Sequence, residues 1–92
     1  MKKYLVERYL PGVTDGQLDE AGERLAEAAE RLAAEGVDVR YVGSTFVPEE
    51  ESCFCRFESS GREGVVHACD QAGVAYARIV ETREFPRSKE ES

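Results

Sequence analysis

The stretch from Tyr41 to Phe57 constrains the fold of this chain more than any other. It reads Tyr-Val-Gly-Ser-Thr-Phe-Val, then Pro-Glu-Glu-Glu, then Ser-Cys-Phe-Cys-Arg-Phe. Runs of β-branched, aromatic and cysteine residues suit a pleated, half-buried surface, and a proline with a charge run suits a turn. The pattern predicts a β-hairpin with its tip at Pro48-Glu49-Glu50-Glu51. Within the first run, Gly43 marks a place where a bulge or a close backbone approach is natural.

Before the hairpin come a short strand and a long helix. Tyr4 to Tyr9 is the first strand, ended by Pro11-Gly12. Alternation puts Leu5, Glu7 and Tyr9 on one face and Tyr4, Val6 and Arg8 on the other. Thr14 followed by Gln17 three residues later is a capping box. From there a helix runs to Glu35 and stops at Gly36, a residue that tolerates the left-handed conformation of a helix end. Leu18, Leu25 and Leu32 recur every seven residues, and Ala21, Ala28 and Ala29 fill the same stripe. This alanine-rich seam predicts close packing on a flat partner such as a sheet. Glu20–Arg24 and Glu27–Arg31 are acid-before-base pairs at i, i+4 on the other side.

After the hairpin come a short helix and a last strand. Val37 to Val47 and Ser52 to Glu58 are the hairpin strands, the second with Cys53, Cys55 and Phe57 on one face and Phe54, Arg56 and Glu58 on the other. Ser60 is the expected cap of the second helix, with Glu63 completing a second capping box. Val65, Ala68, Cys69 and Ala72 line one side of that helix, and Gly73 ends it. Ala77 to Phe85 is the last strand. The order β-α-β-β-α-β, with right-handed crossovers, predicts an α+β fold of the ferredoxin-like type. Such a fold has a four-stranded antiparallel sheet with both helices on one face, and the bare face is a natural dimer or ligand surface.

At 92 residues the chain makes one domain, expected over residues 1–85, followed by a tail over residues 86–92. A core of this size is modest, so a homodimer is an economical source of stability. The formal net charge of −7, with twelve basic residues scattered among nineteen acids, argues against nucleic acid and against an anionic membrane surface. No apolar run reaches the ~18–20 residues of a spanning helix, and no apolar signal region follows the first lysines, so a cytoplasmic location is expected. Three cysteines is an odd number, and Cys53 and Cys55 are poorly spaced for a mutual bridge. Reduced thiols fit best.

Motifs that carry chemistry are few. A phosphate loop, a nucleophile elbow and a Cys-x-x-Cys pair are all absent. The single histidine cannot build a histidine-based metal cluster by itself. The candidates are His67, Glu7, the strand cysteines, Tyr41 and Glu81. On a helical wheel at about 100° per residue, His67 falls opposite the apolar side, near Glu63, Asp70 and Gln71. It reads as a solvated surface residue or as a ligand or proton carrier at a subunit edge. Glu7 reads as a solvent-facing acid paired with a base, Cys55 and Cys69 as small buried hydrophobes, and Glu49 to Glu51 as solvated hairpin-tip acids.

Several segments fall in an order shared with one family. They are Tyr4-Leu5-Val6-Glu7-Arg8-Tyr9-Leu10-Pro11-Gly12, Val42-Gly43-Ser44, Cys53-Phe54-Cys55-Arg56-Phe57-Glu58, His67-Ala68 through Ala72-Gly73, and Arg78-Ile79-Val80-Glu81. The chain resembles the small nickel-binding ferredoxin-like proteins, and the resemblance spans Lys3 to Phe85. It implies a dimeric α+β barrel and binding of nickel or another divalent transition metal. By position it implies His67, Glu7 and Cys55 as metal-site residues. The family pattern often carries a second histidine before the serine of the second hairpin strand, and this chain has Gly43 there. Loss of an imidazole weakens a site for Ni²⁺, which favours nitrogen ligands.

Two further functions stay open at this point. One is an enzyme of the dimeric α+β-barrel monooxygenase or isomerase kind, with Glu7, Tyr41 or His67 as acid or base. The other is a dimerising module without chemistry. The leading expectation is a small cytoplasmic homodimer that binds a transition metal or a small molecule.

Overall fold

The computed structural model describes residues 1–87. Its elements follow the expected order: β1 (Lys2–Tyr9), α1 (Asp15–Ala34), β2 (Val39–Val47), β3 (Ser52–Ser59), α2 (Arg62–Ala72) and β4 (Arg78–Thr82). The four strands form one sheet in the order β2-β3-β1-β4, every neighbouring pair antiparallel. This is the split βαβ arrangement, with β1 and β3 at the centre. Of the tail expected over residues 86–92, the part beyond Arg87 lies outside the described residues.

Pairing decides which face each side chain takes. Tyr4 opposes Phe57 and Val6 opposes both Cys55 and Ile79, and all of these are buried. They meet Leu25, Ala28, Ala29 and Leu32 of α1 and Val65, Ala68, Cys69 and Ala72 of α2 in one core. The alanines let α1 lie close to the sheet, as their spacing predicts. Glycine allows a still closer approach at Gly22, where an added Cβ would come within 3.2 Å of the Tyr41 hydroxyl.

The hairpin carries the expected irregularity. The register of β2 on β3 shifts between Tyr41 and Gly43, so that Val42 is an extra residue. Before the bulge, Val39 and Tyr41 pair with Ser59 and Phe57 on the helix side. After it, Ser44 and Phe46 pair with Cys55 and Cys53 on that same side. The bulge therefore switches the parity of β2 and brings Phe46 against the core.

Helix ends divide between those read from sequence and one that differs. The Thr14 side chain accepts from Gln17 N–H at 3.1 Å, and Gln17 Oε1 accepts from Thr14 N–H at 3.0 Å. Gly36 and Gly73 both take positive φ just past their helices. The start of α2 is different: Gly61 is the capping position, with no side-chain cap, in place of Ser60. Neither neighbouring serine caps the helix. Buried Ser59 donates its hydroxyl to Gly61 C=O at 2.7 Å and accepts from Gly61 N–H at 3.3 Å, so the polar group the core encloses is satisfied locally. β4 ends at Thr82 rather than Phe85, and β2 begins at Val39 rather than Val37.

The uncovered face has a mixed character. Reading across β4, β1, β3 and β2, one row is Val80, Leu5, Arg56 and Gly43, and the next is Arg78, Glu7, Phe54 and Thr45. Apolar and charged side chains thus alternate between rows rather than forming one greasy patch.

Candidate functional site

His67 is exposed on the outer side of α2, while Val65, Ala68, Cys69 and Ala72 turn inward. Glu63 stands one turn before it and Asp70 and Gln71 one turn after, all exposed. This is the polar environment that the helical wheel predicts.

Glu7 lies on the open face of the sheet, on the same cross-strand row as Arg78, and the Arg78 Nε donates to its Oε1. The carboxylate already has a counterion, which an incoming cation would have to displace. Cys55 sits on the opposite face, 1% exposed among the core residues. Burial disfavours its thiolate and pushes the thiol up to about 11, against a smaller lowering by the Ser44 hydroxyl. A metal takes the thiolate, so this sulfur is held in the form that does not ligate.

The three residues therefore occupy three separate places: the outside of a helix, the open sheet face and the interior. Among the described residues no group of three or more His, Cys, Asp or Glu side chains converges. The donors of one chain do not fit a closed transition-metal site.

At the bulge, backbone and neighbour both favour glycine at position 43. Gly43 has φ 152°, a region that favours glycine, and a Cβ there would stand 2.8 Å from the Arg56 Nη2. The Arg56 guanidinium lies across this position and donates from Nη1 to Thr45 Oγ1 at 2.7 Å. A cationic side chain thus covers the spot where a second imidazole would begin. On the helix side of the same bulge, Tyr41 and Ser44 share a hydroxyl–hydroxyl hydrogen bond of 2.6 Å, and the Tyr41 ring tilts onto Phe57. Burial raises the Tyr41 phenol above its ordinary value. Glu81 is exposed at the edge of the sheet, 3.9 Å from Lys2.

The arginines are the charged groups whose partners are least legible in the sequence. Alternation along β3 already put Arg56 on the open face between Phe54 and Glu58. What it did not supply is the partner of the Arg56 guanidinium, Thr45, because that partner comes from another strand.

A family model described as nickel responsive protein SCO4226-like matches residues 4–82. The chain belongs to this family. The crystal structure of SCO4226 from Streptomyces coelicolor A3(2) superimposes with a TM-score of 0.77 at 18% identity, covering 91% of this chain and 99% of that one. Identity at that level speaks for the fold, and the ferredoxin-like architecture is shared. A comparison with curated protein sequences finds none that matches. The nickel-responsive description of the family is compatible with metal binding by this member, whose own donor residues are spread as described above. No helix among the described residues is long and apolar enough to cross a membrane.

Proposed function

We propose that the protein is a small cytoplasmic homodimer without catalytic activity that binds a divalent transition ion, nickel first, at a site completed by two chains. The observation that carries this reading is the exposed imidazole of His67 in a member of a nickel-responsive family. One imidazole with neighbouring carboxylates is an incomplete ligand set for Ni²⁺. A second copy of the chain supplies the rest. Glu7 enters such a site only by giving up Arg78, and Cys55 only by ionising in the core, so His67 is the primary ligand.

Dimerisation through the open sheet face supports the same reading. Leu5, Phe54 and Val80 are half-buried there and gain from a facing surface, while Glu7, Glu58, Arg56 and Arg78 offer both signs of charge to a two-fold copy. Two such sheets face to face make the dimeric α+β barrel. The three free thiols suit a reducing compartment.

Titration calorimetry of the tag-free protein with Ni²⁺ and Zn²⁺, run beside light scattering for mass, tests this. Binding at micromolar or tighter affinity by a dimer, lost in His67→Ala, is the expected result. No heat with either ion would remove the metal assignment, and the same affinity in His67→Ala would remove His67 as its ligand.

A further inference from the structure

A cleft of about 510 Å³ opens between the end of β1, the loop that follows it and the first half of α1. Two arginines line it. Arg8 is the last residue of the inward row of β1, after Tyr4 and Val6, and its Nε donates to Ala75 C=O at 2.8 Å. Arg24 of α1 donates from Nε to Ala72 C=O at 3.0 Å and from Nη1 to Glu20 at 2.7 Å. Ala72 ends α2 and Ala75 follows it, so main-chain carbonyls from one segment orient both guanidinium groups. Carbonyls of a helix C-terminus carry partial negative charge and lack intrahelical donors, which explains why Arg24 settles on Ala72.

These contacts use the Nε atoms. Among the described residues Arg8 has no carboxylate partner, and its terminal Nη donors make no hydrogen bond. A half-buried guanidinium without a counterion is costly unless something completes it. The cleft rim is also pinned. Glu51 takes a left-handed backbone, φ 52°, and its carboxylate accepts from Gly12 N–H at 2.9 Å, fixing the loop that forms one wall. Strain that persists at a non-glycine residue marks a place where the surrounding structure holds a particular geometry.

We infer that this cleft binds a small organic carboxylate. Arg8 receives the carboxylate, Arg24 is the second contact, and the apolar part of the ligand lies against Leu10, Val13 and Leu18. A planar guanidinium matches a carboxylate with two parallel hydrogen bonds. Glu20, held on Arg24, keeps one negative charge in the lining and so favours a monoanion over a dianionic phosphate. With a net charge of −7 the molecule as a whole does not attract anions, so affinity depends on this local pair.

The test is a titration of the full chain with sodium hexanoate, followed by nitrogen-edited NMR that includes the arginine side-chain Nε–H signals, with inorganic phosphate in parallel. Saturable shifts at Arg8, Gly12 and Val13 are expected, together with affinity weakened about tenfold or more in Arg8→Gln. Phosphate should bind more weakly than hexanoate. Arg24→Gln should lose about threefold, and it decides the matter should Arg8→Gln fail to fold. Shifts that do not saturate, shifts confined to the open sheet face, or unchanged affinity in the folded variant would overturn the proposal. Tighter binding of phosphate would overturn the assignment to carboxylates.

Discussion

The carboxylate of Glu51 accepts a hydrogen bond of 2.9 Å from the main-chain N–H of Gly12 and so ties the tip of the β2–β3 hairpin to the loop after β1. Leu10 N–H adds a second tie to Glu51 C=O at 2.7 Å. The tie comes with a positive φ at a non-glycine residue, a conformation that costs about 1–2 kcal/mol. Strain and clamp belong to one side chain, and two substitutions separate them. Glu51→Ala keeps the strain and loses the clamp, so it should destabilise by about 1–2 kcal/mol. Glu51→Gly loses the clamp but relieves the strain, and should fall within about 0.5 kcal/mol of the parent. Urea denaturation measures both, and equal losses in the two variants would contradict this account.

Gly64 of α2 faces the buried hydroxyl of Ser59 at the end of β3. A Cβ at position 64 would stand 2.6 Å from the Ser59 Oγ and 3.4 Å from the Val39 Cβ. Ser59 cannot swing away without breaking both of its bonds to Gly61. Gly64→Ala should therefore cost about 1–3 kcal/mol by overpacking. Ser59→Ala combined with Gly64→Ala should recover part of that loss in a double-mutant cycle.

Gly43 presents the opposite case. The nearest obstacle to a Cβ is the far end of the Arg56 side chain, which can move, whereas the φ of 152° cannot be relieved locally. Gly43→Ala should cost about 1–2 kcal/mol through the backbone, and Arg56→Ala should not rescue it. Rescue by Arg56→Ala in thermal unfolding would show that sterics, not backbone conformation, set the cost.

The buried thiols predict an alkaline limit on stability. Burial raises Cys55 to about 11 and Cys69 to about 12, both above the ordinary thiol value. Below that ordinary value both states keep the proton and stability does not change. Above it the unfolded chain releases protons that the folded chain retains, so stability falls as pH rises toward 11 and 12. The slope is at most about 1.4 kcal/mol per pH unit for each thiol. Denaturation midpoints from pH 7 to 10.5 should be flat and then decline, and Cys69→Ala should decline less steeply.

Much of the architecture was legible because it depends on neighbours in the sequence. The Thr14–Gln17 box, the seven-residue leucine repeat, the stops at Gly36 and Gly73 and the hairpin around Pro48 each rest on contacts a few residues apart. Those elements, in that order, point to one sheet with two helices. Alternation also showed that Arg8 shares a face with Tyr4 and Val6, although a charge in an apolar row drew no functional reading.

The local chemistry that tertiary structure decided involves partners distant in sequence. Ser60 looked like the cap of α2, but the helix begins one residue later, with Gly61 at the capping position and the buried Ser59 hydroxyl bonded to its backbone. Glu49 to Glu51 looked like solvated acids, yet chain reversal brings Glu51 to Gly12. Strands, helices and family membership follow from the linear order of residues. Alternation gave Glu7 and Cys55 their faces, but only the pairing of β1 with β4 sets Arg78 beside Glu7, and only that of β1 with β3 sets Cys55 against Val6. Such a register is a long-range property, set by which hydrophobic row the two helices cover, and it supplies partners that no local pattern in the chain could name.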